Sequence, residues 1–579
     1  MIDPANSTPD STPDSTPSVS PGTTPGTKPE SEGVTSAEPA TNALPTDSNP
    51  DPVPLDEDVF RPEPNPKEEQ EKQKIKAAID KIIATGVTHQ DSRTATLLKD
   101  EIKDDVVVAD NNTLLTPDGT PEPQAPAAAP LPEWLQKFNK WRRQVMSDYV
   151  FLMWLAVVVG LFAGFGAHIF NRLIHNVSDI FLIHIKADRL NWWLIPLPVA
   201  GIVLSGIYTR YIVRTNLTHG MTRLTRSLYK GDFLLKRNLI YSPIIGGTIT
   251  LGLGGSAGSE GPIAYSGAAI GSNLGRWLQL KQPLVKVLVA CGAAAGISGI
   301  FTSPVGGLLF TLEFLKMEIG TLSILAVMLA SLIAYGMVFV CNGFVETGAF
   351  TPPVLPEPDQ FGAILLLGVL CGFYSLYYTQ AINRTDIWFN KINNPWFRNM
   401  AGGLAVGLCI FLFPALYGVG YPIMSDLIQS RFDDLVEGNI LNGIHMGEWG
   451  LIVVAALILV VKCWACGACN ASGGVSSDFA PTMYAGAVAG FLFALFSNTV
   501  FHTHLPIPAF TLLGMSAVMA GCVQAPMMTI FIVLNLGMNF RFSLAIILAV
   551  YVSYIVVRLC SHLRGYDLSL VKHIQWFHR

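Results

Sequence analysis

Charge is what this 579-residue chain has least of: 14% of its residues are Asp, Glu, Lys or Arg, against about 25% in an ordinary soluble domain. The shortage is local. Residues 1–140 hold 25 acids and 12 bases, a net of −13, and residues 141–579 hold 18 acids and 26 bases, a net of +8. Only 44 of those last 439 residues are charged, which excludes a water-soluble domain and leaves a polytopic membrane domain behind an acidic tail. The tail has no cysteine; all nine (291, 341, 371, 409, 463, 466, 469, 522 and 560) lie in the apolar part. An odd number there excludes a disulfide framework. Cys463, Cys466 and Cys469 lack a fourth cysteine at suitable spacing and read as small packing residues rather than metal ligands. Met1 to Thr24 contains no apolar core, so no cleavable signal peptide is expected. HExxH, Walker A and nucleophile-elbow patterns are all missing, so neither enzymatic activity nor a bound cofactor or metal is expected. Nothing implies a nucleic-acid partner.

What is present divides the chain. Residues 1–130, with the tandem Ser-Thr-Pro-Asp at 7–10 and 11–14 and scattered Pro, Thr and Glu, read as a disordered cytoplasmic tail, with one short exposed helix possible over 67–84. Residues 131–147 read as an interfacial amphipathic helix. Trp134, Phe138 and Trp141 fall on one face, with Lys137, Lys140, Arg142 and Arg143 beside them. That basic cluster puts this side, and both termini, in the cytoplasm. Residues 148–342 and 361–579 form two membrane halves. Several of their apolar segments, including Gly306–Leu315, Gly450–Val461 and Tyr484–Phe496, run only 10 to 13 residues. A straight span needs about 20, so these predict helices broken inside the membrane.

The halves repeat. Gly292 through Ser303-Pro304, then Leu308-Leu309-Phe310, lines up 222 residues on with Gly514 through Ala525-Pro526, then Ile530-Phe531-Ile532. A second pair lies 219 residues apart and matches Pro262, Tyr265, Gly267 and Gly271 to Pro481, Tyr484, Gly486 and Gly490. Two pairs in one order at nearly one offset predict two structural halves of inverted topology, with the working site between them.

Glu260 is the residue that carries chemistry. It sits in Gly-Ser-Ala-Gly-Ser-Glu260-Gly-Pro, and no other charge lies between Arg237 and Arg276. An ionisable group at membrane depth costs about 2.5–3.5 kcal/mol on insertion scales and is a functional candidate by default. The glycines allow close backbone approach, and Pro262 suits the first turn of a helix whose free N–H groups attract an anion. The second half offers the same device in Ser476-Ser477-Asp478-Phe479-Ala480-Pro481. A dinucleotide loop at Gly252–Gly258 would need a strand-and-helix unit that the flanking sequence does not supply.

Residues 252–315, with Gly-Ser-Glu-Gly-Pro, Gly-Ala-Ala-Ala-Gly and Ser-Pro-x-Gly-Gly-Leu-Leu-Phe-x-x-Glu, resemble the CLC chloride channel and transporter family. Ser477-Asp-Phe-Ala-Pro481, Gln524-Ala-Pro and Gly565-Tyr566-Asp567 extend the likeness from Tyr149 to the C-terminus, about three quarters of the chain. The resemblance implies an all-α polytopic membrane protein, a CLC-type inverted repeat of broken and tilted helices that forms a homodimer in the bilayer with one chloride pathway per subunit. It assigns the gate to Glu260. The anion would bind at His219, Gly261, Phe479, Ala480 and the Tyr566 hydroxyl, and Glu313 would stand on a proton path.

Three positions depart from the family pattern. Thr218-His219-Gly220-Met221-Thr222 replaces Gly-Ser-Gly-Ile-Pro, putting a histidine donor where a serine is usual. Asp478 places an acid beside the anion site, where it is expected to cap the following helix. Glu313 is followed by Phe314 rather than a second acid, which favours a passive channel over the alternative, a proton-coupled chloride antiporter. No room remains after Tyr566 for the nucleotide-binding pair that many members append.

Chloride must be stripped of water to cross, and amide groups, helix dipoles and a hydroxyl can replace its hydration without the tight grip of a lysine. Ionised, Glu260 would occupy the site; protonated, it would swing out and admit an ion. An unrelated cation-coupled transporter would need more intramembrane acids than Glu260, Glu313 and Asp478. A non-transporting scaffold would place the function in the tail.

Overall fold

A computed structural model describes residues 133–182, 191–218, 220–229, 233–317, 320–344, 356–436, 438–439, 447–537 and 542–563. They lie within the unit Asp100–Arg579. The expected tail, its helix over 67–84, His219 and Tyr566 lie outside the described residues.

Among the described residues the chain is helical, and the one β-bridge lies outside any strand. Helix α1 (Glu133–Val145) leads into α2 (Asp148–Leu182). Arg142 joins them: it is buried, donates to Asp148 Oδ1 at 2.5 Å and lies 4.3 Å from the Phe151 ring centroid. Next come α3 (Pro196–Ile207), which runs on as a π-turn to Val213, α4 (Gly220–Tyr229), α5 (Ser242–Gly252), α6 (Glu260–Trp277) and α7 (Gln282–Phe301). Then follow α8 (Pro304–Leu309), extended as a π-turn to Phe314, and α9 (Thr321–Cys341). The second half contains α10 (Phe361–Asn390), α11 (Pro395–Leu412), α12 (Tyr421–Ile428), α13 (Asp433–Val436), α14 (Glu448–Ala471) and α15 (Phe479–Phe501). It ends with α16 (Ile507–Val523), α17 (Pro526–Gly537) and α18 (Ser543–Leu563).

Among the described residues nine helices are long and apolar enough to cross a membrane. Helices α5, α8 and α17, of 11, 6 and 12 residues, are short, as broken helices require. Two segments expected to be short are not. Gly450–Val461 belongs to the 24-residue α14, and Tyr484–Phe496 to the 23-residue α15. Their apolar signal fades where Lys462, Asn470, Gly486 and Gly490 appear, but protein rather than lipid surrounds the first three of these and Gly490 as well, so the helix continues.

The internal repeat is a packing repeat. A Cβ on Gly267 would lie 2.1 Å from the Gly292 oxygen, and one on Gly486 would lie 2.4 Å from the Gly514 oxygen. One turn on, a Cβ on Gly271 would meet the Leu288 oxygen at 1.9 Å, and one on Gly490 the Phe510 oxygen at 2.0 Å. Helices α6 and α7 thus cross backbone against backbone, and α15 and α16 do the same at the matching residues. In lipid such crossings are made by small residues, because close van der Waals packing drives association there. Both repeats also end alike. Helix α7 stops at Thr302 (φ 50°) and α16 at Gln524 (φ 60°), each left-handed, and a proline opens the next helix. The two ends meet where Ser303 Oγ donates to the Phe531 oxygen at 3.2 Å and Asn535 Nδ2 donates to the Thr302 oxygen.

The crossings predict that Gly490→Val costs about 3 kcal/mol or more, since the extra atoms meet a carbonyl that cannot move aside. Thermal unfolding followed by size-exclusion in detergent should show a large loss of folded protein. Gly336→Ala, on α9 with nothing within 4 Å of the new methyl, should leave the melting temperature within about 2 °C.

Candidate functional site

The loops before α6 and α15 are bolted together. Gly258 N–H donates to the Ser477 oxygen at 2.7 Å, and Ser477 N–H donates to the Gly258 oxygen at 2.9 Å, an isolated antiparallel bridge. Behind it, Val475 N–H donates to Thr250 Oγ1 at 3.1 Å. The loops are poor in large side chains for a reason: a Cβ on Gly258 would lie 2.2 Å from Glu260 Oε2, and one on Gly261 3.0 Å from Ser477 Cβ. The N-termini of two helices, one from each half, therefore open at one place, and each offers unpaired N–H groups and positive dipole charge.

Glu260 stands at this junction as the first residue of α6, with no exposure to solvent. Its Oε1 accepts a 2.9 Å hydrogen bond from the Tyr421 hydroxyl. The amides of Glu260 itself and of Ala480 face the carboxylate, so the first turn of α15 reaches it directly. Oε2 completes no hydrogen bond among the described residues. A buried carboxylate cradled by amides from two helix N-termini occupies the sort of place where such termini hold a free anion.

The other expected site residues divide. Gly261, Phe479 and Ala480 are buried in the same junction. The Phe479 ring packs edge-on against Phe314 at 4.9 Å and Phe310 at 6.2 Å, and Phe310 and Phe314 stack at 5.3 Å. Asp478 occupies the N-cap position of α15, but its side chain makes no capping bond, contrary to expectation. It turns toward α14, where Cys466 Sγ donates to Oδ1 at 3.2 Å and Asn470 Nδ2 donates to the same oxygen; donors on a neighbouring helix outcompete its own amides. Glu313 sits apart, at the start of α17. Its carboxylate accepts the Met527 N–H at 3.2 Å and the Met528 N–H at 2.7 Å, satisfying first-turn amides of that helix from outside it.

Two residues near the junction escape sequence reasoning. Tyr421 comes from the start of α12, 161 positions beyond Glu260. Lys462, fully buried on α14, donates to Ser256 Oγ at 2.9 Å and lies 4.6 Å from the Tyr484 ring centroid. Ser256 is four residues before Glu260, so the loop is not as poor in nearby cations as its own sequence implies. The signal for Lys462 is an isolated lysine inside an apolar helix, the same kind of signal that singles out Glu260.

A multi-pass membrane protein whose halves aim helix N-termini at a buried carboxylate belongs to the class built for moving small ions. The family model for voltage gated chloride channels matches residues 200–558, and the chain belongs to that family. It is 27% identical over 394 residues to a putative chloride channel protein ClcB-like of Ralstonia nicotianae, covering 67% of this chain and 88% of the relative. It is 26% identical over 427 residues to the H(+)/Cl(−) exchange transporter ClcA of Klebsiella pneumoniae, covering 70% and 86%. Among solved structures, a slow cyanobacterial Cl−/H+ antiporter matches with TM-score 0.59 at 20% identity, over 75% of this chain and 99% of the other. A CLC-type fluoride/proton antiporter matches with TM-score 0.59 at 22% identity, over 74% and 99%. The fold is the all-helical CLC fold, integral to the membrane.

The lysine's setting gives a test. Ser256→Ala should cost about 1–3 kcal/mol, because it strips the buried ammonium of its oxygen partner. Lys462→Met should be neutral or stabilising, because it removes the charge along with its desolvation cost. Melting temperatures of both variants in one detergent check the ordering.

Proposed function

We propose that this protein exchanges chloride for protons across a membrane, with Glu260 as the gate, and that it works as a homodimer with one pathway in each subunit. The observation that carries the reading is the position of Glu260: wholly buried, at the bridge between the Gly258 and Ser477 loops, facing an amide from the opposite half. Ionised, the carboxylate fills the place of an anion. Protonated, it loses most of its attraction for the amides and leaves the place to chloride, which the amide groups of the Phe479 and Ala480 turn hold without a full charge. One side chain then carries a proton and vacates an anion site in a single motion.

This reverses the passive reading favoured by the missing second acid at Phe314. Relatives named H(+)/Cl(−) exchange transporters in Klebsiella pneumoniae and Vibrio cholerae support exchange. So does the aromatic packing at that position. Phe314 lies against Phe479, which leaves Glu313 as the acid on the inner approach. A cation-coupled mechanism gains nothing from the geometry, since Glu313 is taken up by α17 and Asp478 by α14.

In liposomes, the voltage at which current reverses should shift with a proton gradient at fixed chloride; no shift would mean a passive channel. Wild-type chloride flux should rise as pH falls, because protonation empties the site. Glu260→Gln should abolish proton movement and leave a chloride flux that varies less than about twofold between pH 4.5 and 7.5. A well-folded Glu260→Gln protein without any chloride flux would refute the gate.

A further inference from the structure

The segment from Phe413 to Tyr421, between α11 and α12, is a strap over the Glu260 loop. It is tied down at four points. Ser256 Oγ donates to the Leu416 oxygen at 2.6 Å, and the Tyr417 hydroxyl donates to the Gly252 oxygen at 3.0 Å. The Tyr484 hydroxyl, from α15, donates to the Ala415 oxygen at 3.0 Å. The fourth tie is the Tyr421 hydroxyl on Glu260 Oε1. Gly420 makes the last step possible: it has φ 90°, and a Cβ there would lie 2.5 Å from the Tyr484 ring.

The four ties are not equivalent. Three end on backbone carbonyls, which stay where the fold puts them. The fourth ends on the one carboxylate that the proposed mechanism requires to move. A phenol donates more strongly to a carboxylate than to a neutral acid, so this bond favours the ionised, site-filling position and is lost when Glu260 leaves. The remaining ties keep the strap in place while that happens, so the hydroxyl waits at a fixed point for the carboxylate to return.

We propose that Tyr421 is a positioning residue for transport: its hydroxyl, held by the strap, latches Glu260 in the anion's place, and the strength of that one bond sets how often the pathway opens. The proposal rests on the reading of Glu260 as the gate and adds a residue and a control point to it.

The test uses the full chain in proteoliposomes and four variants: Tyr421→Phe, Glu260→Gln, the double variant and Tyr417→Phe, each checked for a monodisperse size-exclusion peak. Tyr421→Phe should raise chloride flux at neutral pH roughly three- to tenfold, as expected for loss of one charge-assisted hydrogen bond, and lower the number of protons moved per chloride. In the Glu260→Gln background the same substitution should change flux less than about twofold, because the acid it latches is gone. Tyr417→Phe removes a hydroxyl from the same strap without touching Glu260 and should leave both flux and coupling near wild type. Unchanged flux in Tyr421→Phe would overturn the latch while leaving the gate intact. So would an equal change in both backgrounds, or an equal change in Tyr417→Phe, either of which marks a merely structural effect. Glu260→Gln behaving like wild type would instead remove the gate, and the latch with it.

Discussion

Two backbone hydrogen bonds, between Gly258 and Ser477, hold together everything that acts in this molecule. Each joins a loop of the first half to a loop of the second, and each loop opens a helix. Without the bridge, α6 and α15 would present their free N–H groups to separate places, and neither terminus alone would cradle a carboxylate. Backbone atoms suit this duty better than side chains. They carry no charge to grip an anion and no rotamer to relax, and in the membrane interior the groups find no water to compete for them.

The bridge in turn depends on small residues. Loops can approach closely enough to exchange amide bonds only where glycine and serine line them, and the helices behind them must cross at the same short range. The glycine pairs at 267 and 292 and at 486 and 514 supply that crossing in both halves. Packing and chemistry therefore make the same demand on composition, which is why 52 glycines sit in a chain with so many helices. The price is breakability: each crossing has no room for a methyl group, and each lies far from where its failure would be felt.

Much of this was legible in the sequence because it was written locally. Glu260 announced itself as the lone charge between Arg237 and Arg276, and the repeat showed because identical backbone crossings need glycine at identical spacing. What hydropathy misplaced were the ends of α14 and α15. Residues that line a protein interior in the membrane are small and weakly polar, so the apolar signal fades just where the helix becomes functional. Tyr421 and Lys462 were hidden by distance, 161 and 206 residues from the partners they bond; nothing in Gly-Tyr-Pro or in an isolated lysine names the far partner. Asp478 misled by position, since an aspartate before a helix caps it by default unless a neighbouring helix offers better donors, as α14 does through Cys466 and Asn470.

Lys462 sharpens the electrostatic argument. A transport site must attract chloride strongly enough to strip its water and weakly enough to release it. Amide dipoles satisfy both demands, whereas an ammonium in the site would satisfy only the first. Here the ammonium is present but set back. It bonds Ser256 in the loop before Glu260, over the Tyr484 ring, and forms no ion pair with a carboxylate among the described residues. A buried charge in that arrangement acts through its field rather than through contact. It lowers the cost of any anion at the junction, whether carboxylate or halide, without favouring one over the other. Discrimination between the two then falls to the groups that touch them. For the carboxylate, the one side-chain donor among the described residues is the Tyr421 hydroxyl, so the balance between blocked and open is set by a neutral group at close range, with the full charge kept behind the loop.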